Sequence, residues 1–300
     1  MNGDIRLKHA DLRMLRRFIT VVEAGGITAA SQQLGITQST LSSQLASLER
    51  TLGTRLCRRG RGGFRLTREG EVIYRSAERL LGAVDAFGND VAALRGELTG
   101  VLHIGTVDNI ASNRDCRLPD AIAEFRRVAP NVQISLRVST PEELETGVLE
   151  AKYGLALVPL RKEGRALLYD HLFDEPQALY CGRQHPLAEE AGEIEPAMLT
   201  EFAYAGRGYF QDQTIPLKPA TVAWDMESIL LLVLSGHFIG HLPRHYAETW
   251  LSSGEISEVR GPGLRYASPF YAVRRGGHHA DPMIDRFRQA LVAVHAAPMG

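Results

Sequence analysis

Thr37, Gln38, Ser39, Thr40, Ser42 and Ser43 put five hydroxyls and one amide into seven residues. All are short or uncharged groups that both donate and accept hydrogen bonds. Serine and threonine are mediocre helix formers, because their hydroxyls compete for nearby backbone groups. Yet Leu41, Leu45, Leu48 and Leu52 recur among them at helical spacing, which predicts a helix with its leucines inward. The opposite side then carries Ser39, Ser43, Ala46 and Arg50, flanked by Thr40, Ser42 and Ser47. Short polar side chains let a helix lie close to base edges in a major groove, and Gln38 can bond adenine bidentately. Arg50, Arg55, Arg58, Arg59, Arg61, Arg65 and Arg68 follow, suited to phosphates or to minor-groove insertion. Gly-x-Ser-x-Gly, phosphate-loop and His-Glu-x-x-His patterns do not occur, so no catalytic residue is expected.

Such a helix must be seated by others. Leu12, Leu15, Phe18, Ile19 and Val22 predict an amphipathic helix ending at Gly25-Gly26. A short helix follows from Thr28, read as its N-cap, to Leu34, with small Ala30 and Ser31 allowing close approach. Gly35 supplies a turn and Thr37 can cap the next helix. Two helices joined by a short Gly-containing turn make a helix-turn-helix. RLCRRGRGGFRLT then reads as a Gly-rich hairpin between short strands, a wing. Charge agrees: residues 1–68 hold 12 Lys/Arg against 4 Asp/Glu, while the rest holds 22 against 31. A basic head on an acidic body expects only the head to meet a polyanion.

Ile73, Ala77, Leu80, Val84, Phe87, Val91 and Leu94 are spaced 4-3-4-3-4-3. That is an a/d seam, which predicts a long dimerisation helix over 71–99. From Val101 the chain alternates strands and helices: VLHIGTV, a helix 118–128, VQISLRV, a helix 141–149, GLALVPL. This order implies a parallel sheet with helices on its faces. QALYCG, FAYAG, TVAW, SPFYAV and a final helix 282–295 continue the pattern. The three cysteines, Cys57, Cys116 and Cys181, are scattered, which fits a reducing cytoplasm rather than a disulfide framework or zinc site. The first residues lack the apolar core of a signal peptide, and no apolar run reaches 18 residues, so no membrane partner is expected.

In an α/β sheet, ligands meet strand ends and helix N-termini. Thr106 is the penultimate residue of VLHIGTV, and Asp108-Asn109 and Ser112 follow it. STPEELE makes Thr140 an N-cap with Glu143 completing a capping box. Arg207 lies in a loop, and Asp225-Met226 begin another helix. His237, His241 and His245 are four apart, but Gly240 and Pro243 interrupt any helix through them, so no metal or other cofactor is expected.

The stretch RRFITVVEAGGITAASQQLGITQSTLSSQLASLERTLGTRLCRRGRGGFRLTREG resembles the DNA-binding domain of LysR-type transcriptional regulators. Phe18, Glu23, Thr28, Ala30, Leu34, Gln38, Ser42, Leu48, Glu49, Leu52, Gly53, Leu56, Arg59, Leu66, Thr67 and Gly70 carry the likeness. SGHFIGHLPRHYA resembles the family's Gly-x-Gly-Ile-x-x-Leu-Pro segment, with Phe238 in place of the second Gly. The resemblance implies a winged helix-turn-helix at 1–70, a linker helix at 71–99 and an α/β effector-binding domain at 100–300 like a periplasmic binding protein. That domain would divide into one subdomain of 101–162 with 267–300 and another of 163–266. It also implies double-stranded DNA, a small anionic effector and a homodimer or homotetramer, with Asn109 and Thr140 facing the effector. One departure matters: Ser43 stands where the family usually has an arginine that reads guanine, a contact worth roughly 1–3 kcal/mol of discrimination. Two other readings stay open, a ligand-independent architectural DNA-binding protein and a metabolite enzyme tethered by a DNA-binding head.

Overall fold

The computed structural model describes residues 9–58, 64–93, 98–159, 164, 166–190, 192–209, 217–276 and 281–297. They form two compact units, Met1–Gly88 with Glu150–Lys152, and Asn89–Leu149 with Tyr153–Gly300.

The first unit contains α1 (His9–Glu23), α2 (Ile27–Leu34), α3 (Gln38–Leu52), β1 (Cys57–Arg58), β2 (Arg65–Leu66) and α4 (Arg68–Ala93) as far as Gly88. Leu15, Phe18, Val21, Ala30, Leu41, Leu45, Leu48 and Leu56 are its buried core. Each of these apart from the small Ala30 contributes roughly 1.5–3 kcal/mol when fully buried. Gly35 ends α2 with φ 62°, and Gly53 ends α3 with φ 67°, left-handed conformations that glycine adopts without strain. The expected cap of α2 shifts: the helix starts at Ile27, with Gly26 as N-cap, so Thr28 lies inside it. Its carbonyl instead accepts the Ser31 hydroxyl at 2.8 Å. β1 and β2 pair antiparallel as the base of the wing.

α4 divides the expected dimer seam. Ala77 is 3% exposed and belongs to the head's own core, where Ile73 and Leu80 also pack. Leu81, outside the a/d pattern, is buried there too. Farther along, Val84 is 37%, Phe87 70% and Val91 36% exposed. Leu94 lies outside the described residues. The first turns of the helix therefore seat it on its head, and the later ones present an apolar face.

The second unit is built on a nine-stranded sheet among the described residues, in the order β4-β3-β5-β11-β6-β9-β7-β8, with β10 also on β6. Its strands are β3 (Gly100–Thr106), β4 (Val132–Val138), β5 (Leu155–Pro159), β6 (Leu167–Gly182), β7 (Tyr204–Arg207), β8 (Pro219–Ala223), β9 (Ile239–Pro243), β10 (Ile256–Val259) and β11 (Tyr266–Arg275). Its helices are α5 (Leu118–Val128), α6 (Pro141–Leu149), α7 (Met226–Leu234), α8 (Arg244–Ser252) and α9 (Pro282–Ala296). β3 pairs parallel with β4 and β5, and β7 parallel with β8 and β9, as the βαβ order demands.

Two strands join these parallel halves. β6 and β11 run antiparallel to each other from Tyr266↔Gln177 to Arg275↔Leu167. The hydrophobic cores change over along them. Leu167, Leu172, Phe173 and Phe270 belong to one core, while Ala178 and Leu179 belong to the cores beyond. The changeover between cores thus falls at residues 174–177 and near 266–269. The sequence signal for β6 covers only its last six residues, because Asp170, His171, Asp174 and Glu175 interrupt the apolar pattern before them.

Candidate nucleic-acid interface and ligand cleft

On the head, α3 presents Gln38, Ser39, Thr40, Ser43, Ala46 and Arg50 as exposed residues, with Ser42 and Ser47 half-buried. Thr37 is the N-cap, accepting the Thr40 N–H at 3.2 Å. Its hydroxyl lies 3.0 Å from that of Ser39 and 2.8 Å from that of Thr40. The three hydroxyls thus form one hydrogen-bonded cluster at the positive end of α3, a place that favours anions. Gln38, next to that cap, is the longest uncharged arm there. Arg58 and Arg65 sit opposite each other on the wing strands and both are exposed. Arg59 and Arg61 lie outside the described residues.

The angle between α3 and the wing is fixed by a side chain to which sequence reasoning assigned no role. Glu49 Oε1 accepts the N–H of Leu56 at 2.8 Å and of Cys57 at 3.3 Å. Thr67 works beside it: its hydroxyl donates to the Arg55 carbonyl at 2.6 Å and accepts the Gly70 N–H at 2.9 Å, capping α4. Gly70 packs so closely that an added Cβ would stand 1.9 Å from the Leu56 carbonyl oxygen. The Thr67-x-x-Gly70 spacing is the one local signal for this junction.

In the second unit, polar side chains gather where the cores change over. Glu175 is 6% exposed. It accepts Asn113 Nδ2 at 3.2 Å and His245 Nε2 at 2.9 Å on one oxygen, and Gln177 Nε2 at 2.6 Å on the other. Gln177 in turn accepts Arg207 at 2.7 Å through its carbonyl oxygen. Ser112 Oγ lies 2.9 Å from His245 Nδ1. Asp108 accepts the Met226 N–H at 2.6 Å and Asn109 Nδ2 at 2.9 Å. These bonds join β3 and the turn after it, on one side, to α7, α8 and β7 on the other.

Electrostatics follow from burial. Desolvation raises the Asp108 carboxyl above the usual carboxylate range; the Met226 N–H opposes this and the like charge of Asp225 adds to it. Burial pushes the Tyr209 hydroxyl up to about 12, with Arg207 pulling against it and Asp108, Glu175 and Asp225 reinforcing it. Cys116 is pushed up to about 11, mostly by burial, with Glu175 contributing. Such a thiol stays protonated and unreactive.

The expected effector residues divide. Asn109 is left-handed, at φ 60°, and orients Asp108. The Thr106 hydroxyl is buried without a hydrogen-bond partner among the described residues, and Ser139 N–H binds the Thr106 carbonyl at 3.0 Å. Arg207 joins the Glu175–Gln177 chain. Thr140 is engaged in the capping box, accepting Glu143 N–H at 3.4 Å while Glu143 accepts the Thr140 N–H at 3.3 Å. Asp225 caps α7 through Ser228 N–H at 2.7 Å. The Met226 side chain is buried in a core, and its backbone N–H donates to Asp108. Glu175, Gln177 and Asn113 were not singled out from sequence; the amide that opens the apolar QALYCG stretch and the acid two residues before it were the available signal. The three histidines part company: His237 is turned to its own loop, His241 is buried against Tyr204 and the Leu264 carbonyl, and His245 meets Glu175. Among the described residues no group of three or more metal-ligating side chains forms, and no helix is long and apolar enough to cross a membrane.

Comparisons with known proteins match this division. Residues 12–71 match the family model of the bacterial regulatory helix-turn-helix protein, lysR family, and residues 95–296 match the LysR substrate binding domain. The HTH-type transcriptional activator BauR of Pseudomonas aeruginosa is 36% identical over 287 residues, covering 94% of each chain. The HTH-type transcriptional regulator CbbR of Xanthobacter flavus is 24% identical over 282 residues, covering 89% of this chain and 82% of its own. CbnR, solved full-length in complex with target DNA, matches with a TM-score of 0.66 at 22% identity, over 95% of this chain and all of that one.

Proposed function

The chain belongs to the LysR-type family of bacterial transcriptional regulators, and on that premise we propose how its parts divide the work. α3 enters a major groove, with Gln38 and the exposed hydroxyls of Ser39, Thr40 and Ser43 reading base edges. The observation that carries this is the exposed, short-armed polar face of α3 beside the Thr37 cap. Ser42, half-buried, lines the edge of that face. Arg50, Arg58 and Arg65, with Arg59 and Arg61 in the same basic run, hold phosphates or reach a minor groove. Without an arginine at residue 43, guanine recognition moves to other residues or is dispensed with.

The exposed face of α4, Val84, Phe87 and Val91, pairs with a second copy. Ile73, Ala77 and Leu80 support that pairing by seating the helix. Two heads so joined read half-sites about 34–36 Å apart or multiples of that spacing. The assembly is a homodimer or homotetramer in the cytoplasm.

The cleft around Glu175, Gln177 and Arg207 receives a small effector. Arg207 is the group for an anionic portion, with Thr106, Asn109, Thr140, Asp225 and the Met226 N–H around it. Asp108 already occupies the positive end of α7, so an anionic effector competes with this internal carboxylate.

The test is fluorescence anisotropy of the full-length protein on the DNA flanking its own gene, with and without pooled carboxylate metabolites. Operator preference over bulk DNA that shifts with a metabolite supports the reading. An Arg207→Gln variant should bind that DNA unchanged but lose the shift. Equal affinity for every DNA, unmoved by any pool, would favour an architectural protein.

A further inference from the structure

Gly82 stands in the middle of α4, where glycine weakens a helix relative to alanine. Its neighbour explains it. A Cβ on Gly82 would lie 2.6 Å from the carbonyl oxygen of Ala151, so that oxygen rests where any other side chain would begin. Gly88, farther along the same helix, meets nothing within 4 Å among the described residues. Ala151 is itself in the left-handed region, at φ 59°. That conformation costs a non-glycine residue energy and persists where surrounding contacts hold it. Next to it, Lys152 Nζ lies 2.9 Å from Glu78 Oε1, with side chains only 28% and 11% exposed. One turn beyond Gly82, Asp85 takes Arg16 of α1 at 2.6 Å. Glu78, Gly82 and Asp85 are spaced four and three apart, so they form one stripe along α4. Val84 and Phe87 lie about 160° and about 140° around the helix from Gly82, at about 100° per residue. The helix therefore carries two contacts back to back: a stripe engaged within the chain, and an apolar face that stays exposed in one chain.

The turn Glu150–Lys152 packs as part of the head's unit, although Leu149 and Tyr153 on either side of it belong to the second unit. It follows α6 directly, and Thr140 caps that helix at its other end. The turn is also tied to the last residues of α6. Tyr153 N–H donates to the Gly147 carbonyl at 3.2 Å, and a Cβ on Gly147 would lie 2.5 Å from the Tyr153 ring. We propose that this turn is the coupling point of the regulator. Through the Ala151 carbonyl on Gly82 and Lys152 on Glu78, the stability of the ligand-binding chain is joined to that of the DNA-binding unit. This rests on the reading of the second unit as effector-binding, and it needs no particular effector. Such a coupling is reciprocal. A small molecule that stabilises the second unit acts on the head, and DNA bound to the head stabilises the second unit through the same residues.

Reciprocity makes duplex DNA a sufficient probe. Both tryptophans, Trp224 and Trp250, lie in the second unit. Tryptophan fluorescence, excited at wavelengths that DNA does not absorb, therefore follows the melting of that unit alone. The full-length protein is melted with and without the DNA flanking its own gene. In the wild type, DNA should raise the tryptophan-detected melting temperature. Lys152→Glu sets two carboxylates against each other. It should bind labelled DNA with unchanged affinity in anisotropy and lose most of that rise. Adding Glu78→Lys restores the pair in reverse and should recover the rise, which guards against a misfolded single variant. Gly82→Ala should also lose it, although alanine is the better helix former. A wild-type tryptophan signal that ignores DNA shown by anisotropy to be bound overturns the proposal. So does a rise that survives both Lys152→Glu and Gly82→Ala, and so does a charge-swapped double variant no better coupled than Lys152→Glu. A protein that answers no metabolite, yet couples DNA to its tryptophans through these residues, would sink the effector reading alone.

Discussion

Asp108 Oδ2 accepts the backbone N–H of Met226 at 2.6 Å. A carboxylate from the turn after β3 therefore sits on the first turn of α7. It does for α7 what an anionic ligand would do, and it does so inside the protein.

That contact predicts an asymmetry between two substitutions. Burial raises the Asp108 carboxyl above its ordinary range. A raised group contributes its stability below the unfolded carboxyl range and loses it as pH rises through the folded value. Asp108→Asn keeps an acceptor for Met226 without a buried charge. Its melting temperature should match or exceed wild type at pH 8, and the difference should vanish near pH 4. Asp108→Ala strands the N–H, at about 1–3 kcal/mol, which lowers the melting temperature by several degrees at any pH. Calorimetry of the three proteins across that range checks both.

On DNA, Gln38 and Arg58 should separate specificity from affinity. Gln38→Ala should flatten the preference for operator over mutated operator by roughly 1–3 kcal/mol while leaving the salt slope intact. Arg58→Ala should weaken binding to all DNAs alike and reduce the slope of log affinity against log salt by about 1. Titrations at several salt concentrations distinguish these outcomes; a Gln38→Ala variant weakened equally on every DNA would exclude base readout.

The dimer should depend on the far turns of α4. Val84→Asp with Phe87→Asp places charges on side chains that are exposed within one chain, so each protomer should fold and sediment as a monomer. Leu80→Asp is a poorer probe, because Leu80 packs on the head's own core and its loss should lower head stability as well. A double variant that still sediments as wild type would place the interface elsewhere.

Glu49 should matter for DNA binding without touching DNA. Glu49→Ala leaves the N–H groups of Leu56 and Cys57 without their acceptor. With each stranded N–H costing about 1–3 kcal/mol, the head should lose about 2–6 kcal/mol of stability. Glu49→Gln retains an acceptor oxygen and should recover most of it. Amide exchange at Leu56 and Cys57 gives a direct readout.

Much of this architecture was legible because its causes are local. The 3.6-residue period of Leu41, Leu45 and Leu48 specifies α3 whatever surrounds it. Thr37 caps that helix and Thr140–Glu143 caps α6 through bonds spanning three residues. Gly35 and Gly53 mark helix ends by a backbone preference. The order of strands and helices implied the parallel pairings β3–β4 and β3–β5.

The tertiary structure decided what depends on residues far apart in the chain. Ala77 fits an a/d seam as well as it fits a head core, and only packing against the head selected the core. Glu175 reads as a polar interruption until β6 carries it between two cores, where Asn113, 62 residues away, and His245, 70 away, converge on it. His245 looked like a member of a histidine series; the break at Pro243 and the start of α8 turned it toward Glu175 instead. By itself the sequence determined the helices, the caps and the two-part design, because hydrophobic period and capping act over a few residues. The cleft's hydrogen bonds close over loops of dozens of residues, so only the assembled sheet determined which groups meet.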